Sequence, residues 1–110
     1  KRLTFSQAAT GASGIETLLP LALELFHNDS LKLNKIIKVL TSNPAKILKI
    51  NKGNLTVGND ADFCIVDIYK PWIVKKETLI SKSKNTSIED KKLQGKVTNT
   101  FVKGEELFKI

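Results

Sequence analysis

The chain has 110 residues and a mass of 12.2 kDa, with 41% hydrophobic and 26% charged residues. That balance describes a globular segment of one domain or less and excludes a disordered tail. The longest uninterrupted apolar run, Leu18 to Leu23, is far below the roughly 20 residues of a membrane span, so no membrane partner is expected. One cysteine excludes an internal disulfide, and one histidine argues against a metal site built from this chain alone. Nothing resembles a signal peptide, which makes the cytoplasm the expected compartment. There is no methionine, and the chain opens Lys1-Arg2-Leu3, so a tail of something longer is expected.

The net charge of +7 invites a nucleic-acid partner, but the residue types argue against one. Arg2 is the only arginine among 18 basic residues, and arginine makes the bidentate phosphate and guanine contacts. The lysines are spread from end to end, with only Lys75-Lys76 and Lys91-Lys92 adjacent. No nucleic acid is expected.

The elements read as follows in chain order. Small and polar residues from Ser6 to Gly14 predict a loop, with Gly11 and Gly14 as points where the backbone turns or is closely approached. A helix over 16–27 follows, with Ser13 or Gly14 as cap, Glu16 in the first turn and Pro20 tolerated there. Leu18, Leu21, Leu25 and Leu19, Leu23, Phe26 form neighbouring stripes, so most of it should be buried. His27-Asn28-Asp29 ends it. Ser30 should cap a second helix carrying Leu33, Ile36, Ile37 and Leu40. Ser42-Asn43-Pro44 breaks that helix, and a third should run from Ala45 to Ile50 with Pro44 at its start and Ile47 and Leu48 inward.

After Asn51 the period changes. Lys52-Gly53-Asn54 and Gly58-Asn59-Asp60 are turn signals. Phe63 to Val66 predicts a short buried strand, and Trp72 to Val74 a second. Residues 75–94 are polar and read as loop. Lys96 to Val102 alternates like a half-buried strand, and Lys103-Gly104-Glu105-Glu106 turns it into Leu107 to Ile110. A few short strands without more sheet are marginal in water. The chain thus divides near residue 51 into helices and strands, as the end of one domain and part of a second.

Chemistry-bearing residues are few. Cys64 in mid-strand reads as a small core residue, not a nucleophile, and His27 as a helix-terminal group. Asp60, Asp62 and Asp67 cluster. Positions 60 and 62 share a strand face that suits a hard cation, although turn capping explains them better. The loop Thr10-Gly11-Ala12-Ser13-Gly14 ahead of a helix offers main-chain N–H groups to an anion or substrate.

Larger motifs resemble one family. Ala9 to Thr17 with Leu19-Pro20-Leu21 resembles the loop and helix after the last barrel strand of class I dihydroorotases. Thr41-Ser42-Asn43-Pro44-Ala45 is similar to their T-x-N-P-A helix break. Gly53-Asn54-Leu55 through Gly58-Asn59-Asp60-Ala61-Asp62 resembles the G-x-L-x-x-G-x-D-A-D strand lead-in shared by amidohydrolases. Ser81-Lys82-Ser83-Lys84-Asn85-Thr86 is similar to the dihydroorotase tail S-K-S-K-N-T-P-F. Against that pattern, Ser87 replaces Pro, Ile88 replaces Phe and Asp90 replaces Gly, the last bearing on whether the backbone there needs positive φ.

The resemblance implies an α/β chain: the C-terminal fragment of a metal-dependent (β/α)8-barrel amidohydrolase, with helices over 16–50 followed by short strands of a small composite β-domain. Residues 1–50 would end the barrel, and residues 51–110 would be the C-terminal part of the β-domain. Dihydroorotases interconvert carbamoyl-aspartate and dihydroorotate in pyrimidine biosynthesis, with one or two zinc ions polarising the amide carbonyl and activating hydroxide. The family's His-x-His pair, lysine, further histidines and aspartate all precede this segment. The chain is therefore expected to hold no catalytic residue, no metal ligand and no zinc of its own. Only Thr10 and Gly11 carry over, as positions whose backbone contacts the substrate; Thr10 stands where proline or phenylalanine is common. The implied partners are the remainder of the barrel and a small-molecule substrate, with a homo-oligomer left open. The competing readings are a catalytically inactive truncated remnant of a broken gene and a basic binding module. Isolated, the chain should expose the apolar face of helix 16–27.

Overall fold

A computed structural model describes residues 4, 6–8 and 10–110. Among the described residues there are three α-helices, one 3-10 turn and one three-stranded antiparallel sheet. The helices are α1 (Leu18–His27), α2 (Leu33–Leu40) and α3 (Ser42–Ile47), and the strands are β1 (Phe63–Ile73), β2 (Lys92–Val102) and β3 (Glu105–Lys109). The 3-10 turn Lys76–Thr78 lies in the connection between β1 and β2.

Helix α1 starts two residues later than its apolar period suggests. Thr17 precedes it, buried, with Thr17 Oγ1 donating to the Gly14 carbonyl at 3.3 Å. Pro20 stands in the first turn, where a missing N–H costs nothing. Asp29 at φ 56 ends the helix, and the Ser30 N–H reaches back to the Leu25 carbonyl at 2.9 Å. Only Pro20 and Leu23 of α1 are buried, while Leu18 and Leu25 stand in the open, so the expected two-stripe burial does not hold. One residue of each stripe is seated, Leu21 against the Val74, Leu79 and Leu93 cluster and Leu23 against Gly95 of β2, while the ends of the first stripe stay open.

The second and third helices depart from their predicted caps and faces. Lys32, not Ser30, precedes α2, and it caps with no side chain. The break falls at Thr41, whose hydroxyl returns to the Ile37 carbonyl at 2.7 Å, and α3 begins at Ser42 with Pro44 as its third residue. Ile47 and Leu48 point outward, and the small Ala45 is the buried residue of α3. A helix this short seats one side chain on its neighbour, and α2 occupies that side.

The sheet order is β1-β2-β3. The two strands predicted at 63–66 and 72–74 are one strand with a jog. Asp67 pairs with Lys96 and Pro71 with Gln94, so β1 gains two residues on β2 between them. Asp67 Oδ1 makes the jog by accepting the N–H groups of Tyr69 and Lys70, each at 3.0 Å. Pro71 is tolerated because β1 is an edge strand. The strand is not buried as expected: Phe63, Cys64 and Ile65 are all exposed. The hairpin is as the sequence suggests, with Lys103 (φ 51) and Gly104 (φ 83) forming a two-residue loop between Val102 and Glu105.

The core lies under α1 at the jog. Val74, Leu79 and Leu93 form it, with Leu21, Trp72 and Ile88 packed around them. Leu23 reaches Gly95 on β2, where φ is +102 and an added Cβ would lie 2.4 Å from Leu23 Cδ1. The Trp72 indole N–H donates to the Gly95 carbonyl at 3.0 Å, and Lys96 Nζ sits 5.4 Å from the centre of the Trp72 ring. Leu79 comes from the stretch read as polar loop, and it is 5% exposed. It is held in by the turn Lys76–Thr78 and by the Lys84 ammonium on its carbonyl.

Candidate functional site

The loop ahead of α1 and the segment 80–85 lie side by side, although more than 60 residues separate them in the chain. Gly11 has φ +73, a conformation that disfavours any side chain, and the space around it is open. Gly14 shows neither a positive φ nor a close neighbour, so only one of the two predicted glycines is required by the backbone. Ala9 and Arg2 lie outside the described residues.

Four groups tie the two segments together. The Asn85 side-chain amide donates to the Gly11 carbonyl at 2.6 Å, and the Asn85 carbonyl accepts the Ser13 N–H at 2.8 Å. Ser13 Oγ donates to the Ser83 carbonyl at 2.8 Å and lies 3.3 Å from Ser81 Oγ. The Glu16 carboxylate accepts the N–H groups of Ile80 at 3.0 Å and Ser81 at 2.9 Å. Glu16 therefore does not serve as a first-turn charge of α1; it caps a turn of the distant tail. Beside these contacts is a cleft of about 160 Å³, lined by Ser13, Glu16, Leu79 and Ser81 among others. Small-molecule pockets run from roughly 300 Å³ upward, so this cleft is part of a site at most.

Thr10 and Gly11, the predicted substrate contacts, are both exposed at the rim of this assembly. Among the described residues, the Gly11 and Ala12 N–H groups have no acceptor. A loop whose main-chain donors are unused among the described residues suits a carboxylate or a carbonyl oxygen.

The carboxylates at 60–67 serve structure. Lys52 Nζ lies 2.7 Å from Asp60 Oδ2 and 2.5 Å from Asp62 Oδ2, so one ammonium bridges both carboxylates. The hydrogen bonds that the Lys52 ammonium donates to Asp60 and then to Asp62 raise its pKa. The Lys52 hydrogen bond, with help from the Lys103 N–H at 2.8 Å, lowers that of Asp62. Asp62 so joins the turn before β1 to the tip of the hairpin, where the Gly104 N–H also meets the Ala61 carbonyl at 3.1 Å. Among the described residues no three His, Cys, Asp or Glu side chains converge as metal ligands. His27 lies between the rings of Phe26 and Tyr69, at 5.3 and 5.6 Å, with its Nε2 buried and, among the described residues, without a hydrogen-bond partner. Cys64, expected in the core, is exposed on edge strand β1.

Asp90 adopts φ 64, the positive φ that the glycine of the family pattern would supply. It is pinned there by the Lys75 ammonium on its carboxylate and by its N–H on the Val74 carbonyl at 2.8 Å. That ion pair lowers the Asp90 pKa and raises that of Lys75.

The amidohydrolase family pattern matches residues 6–107, and the chain belongs to that family. It is 38% identical to the dihydroorotase of Ehrlichia chaffeensis over 99% of its length, and 42% identical to that of Aquifex aeolicus over 93%. In both cases it spans only 24% of the relative. Among solved structures, the L-hydantoinase (dihydropyrimidinase) of Arthrobacter aurescens superposes with a TM-score of 0.84 at 32% identity, over 93% of this chain and 23% of that one. A D-hydantoinase shares the fold at a TM-score of 0.84 and 21% identity, over 92% of this chain and 22% of that one. No helix among the described residues is long and apolar enough to cross a membrane.

Proposed function

We propose that this chain is the C-terminal portion of a dihydroorotase-like hydrolase that acts on the cyclic amide C–N bond of dihydroorotate, or forms it from carbamoyl-aspartate, in pyrimidine biosynthesis in the cytoplasm. The observation that carries the reading is the 38–42% identity to dihydroorotases across 93–99% of the chain. Residues 1–50 would end a (β/α)8 barrel and residues 51–110 would belong to a small β-domain. Thr10 and Gly11 would meet the substrate through their main chain.

The family's zinc would polarise the amide carbonyl and supply hydroxide. The described residues do not fit it. Asp60 and Asp62 are taken by Lys52, and the His27 Nε2 faces no other ligand. The metal would therefore be held by the remainder of the barrel, the partner this reading requires. What this chain contributes is a main-chain surface that binds and orients a charged cyclic amide.

The test is an assay of the full-length product of the gene that encodes this chain, with dihydroorotate, hydantoin and dihydrouracil as substrates. Hydrolysis of dihydroorotate with at least tenfold preference supports the proposal. A preference for hydantoin or dihydrouracil replaces it with the reading that the Arthrobacter structure favours.

A further inference from the structure

The latch between the loop and the tail has one member aimed at the substrate positions themselves. We propose that Asn85 is a positioning residue: it holds the main chain of residues 10–12 in the form that receives the substrate. The inference rests on the reading of Thr10 and Gly11 as substrate contacts.

Residues 10–12 are exposed and bury no side chain. Gly11 at φ +73 is the residue type with the most backbone freedom, so nothing local holds it. Asn85 supplies the restraint from outside, bonding on either side of Ala12: the Gly11 carbonyl on its side chain, the Ser13 N–H on its own carbonyl. Held at the Gly11 carbonyl and the Ser13 N–H, the stretch keeps the Gly11 and Ala12 N–H groups out of the latch. Glu16 anchors the far end of the same seam on Ile80 and Ser81, which leaves Asn85 as the end that meets the substrate positions.

The chemistry demands asparagine. The Gly11 carbonyl needs a donor, and the asparagine amide is one. An aspartate of the same shape would face that carbonyl with an acceptor. The isosteric change is therefore more disruptive than truncation, an order that simple loss of packing would reverse.

The test uses the full-length gene product as wild type, Asn85→Ala and Asn85→Asp. Amide hydrogen exchange at Ser13 and dihydroorotate kinetics are read on the same samples. Both variants should exchange faster at Ser13. KM should rise about tenfold in Asn85→Ala and further in Asn85→Asp, the size expected for one hydrogen bond, with kcat within about twofold. Unchanged exchange overturns the latch and leaves the substrate reading standing. Faster exchange with unchanged KM, or a wild type that does not hydrolyse dihydroorotate, refutes the substrate reading and the positioning role with it. A fall in kcat at constant KM also overturns the proposal, since Asn85 would then act on the chemistry. Should either variant fail to fold, Asn85→Ser, a polar side chain too short to keep the bond to the Gly11 carbonyl, carries both readouts.

Discussion

The seam beneath α1 and the surface from Ile47 to Val57 are built by opposite means. In the seam, Leu23 and Val74 are completely buried, Leu79 and Leu93 nearly so, and Gly95 lets a helix side chain rest on a strand backbone. On the surface, Ile47, Leu48, Leu55 and Val57 stand exposed, while polar side chains set the path. Lys52 bridges Asp60 and Asp62, and the Asn59 side chain bonds Asn54 at 2.6 Å and Asn51. The first region is stabilised by its own packing. The second is held in shape by polar contacts while it presents apolar residues outward, the condition of a surface that awaits a covering layer. The relatives, about four times as long, have the chain to provide one.

The largest effects should come from breaking the seam. Leu23→Ala removes a fully buried side chain and should cost about 3 kcal/mol or more of unfolding free energy in denaturant titration. Gly95→Ala should cost about 2–3 kcal/mol, because its Cβ would lie 2.4 Å from Cδ1 of the fully buried Leu23 and its φ of +102 strains any side chain. Acid should instead loosen the polar region. The folded pKa of Asp62 lies below its ordinary value of 3.8, so its contribution is complete above about pH 3.8 and is lost as pH falls through the lower folded value. The acid limb of a Tm-against-pH curve should therefore flatten in Lys52→Ala. Lys52, whose pKa is raised, contributes below its ordinary 10.5 and loses that contribution as pH climbs through the folded value.

Smaller changes sharpen the contrast. Asp90→Gly relieves a left-handed backbone and gives up an exposed ion pair, so the two effects oppose and the unfolding midpoint in denaturant should barely move. Val57→Ser should leave the unfolding midpoint of the chain unchanged within about 0.5 kcal/mol, since Val57 is fully exposed, while lowering its tendency to associate in light scattering.

Parts of this architecture are legible in the sequence because their causes are local. The leucine period of α1, the alternation of Lys96 to Val102 and the Lys103-Gly104 turn each act within a few residues. What escapes is set by partners far away in the chain. Leu79 is core because α1 and the turn at 76–78 close over it, and a polar neighbourhood hides that. Cys64 and Ile65 carry the pattern of a buried strand yet lie on an open edge, because burial depends on a cover that local pattern cannot report. Asp67 splits β1 in the hydropathy pattern, although its side chain only bridges a jog within a single strand. At the site, Gly11 was signalled by its glycine spacing. The partnership of Asn85 with Gly11 has no local signal, and the S-K-S-K-N-T motif pointed to kinship without showing what its asparagine touches.

The most direct test is the intact mass and zinc content of the product made from the native gene. The account predicts a polypeptide about four times the length of this chain, in keeping with the 24% of each relative that it spans, carrying one or two equivalents of zinc. A metal-free product of 12.2 kDa would contradict it, and would make the Thr10–Gly11 loop the remnant of a site without its chemistry.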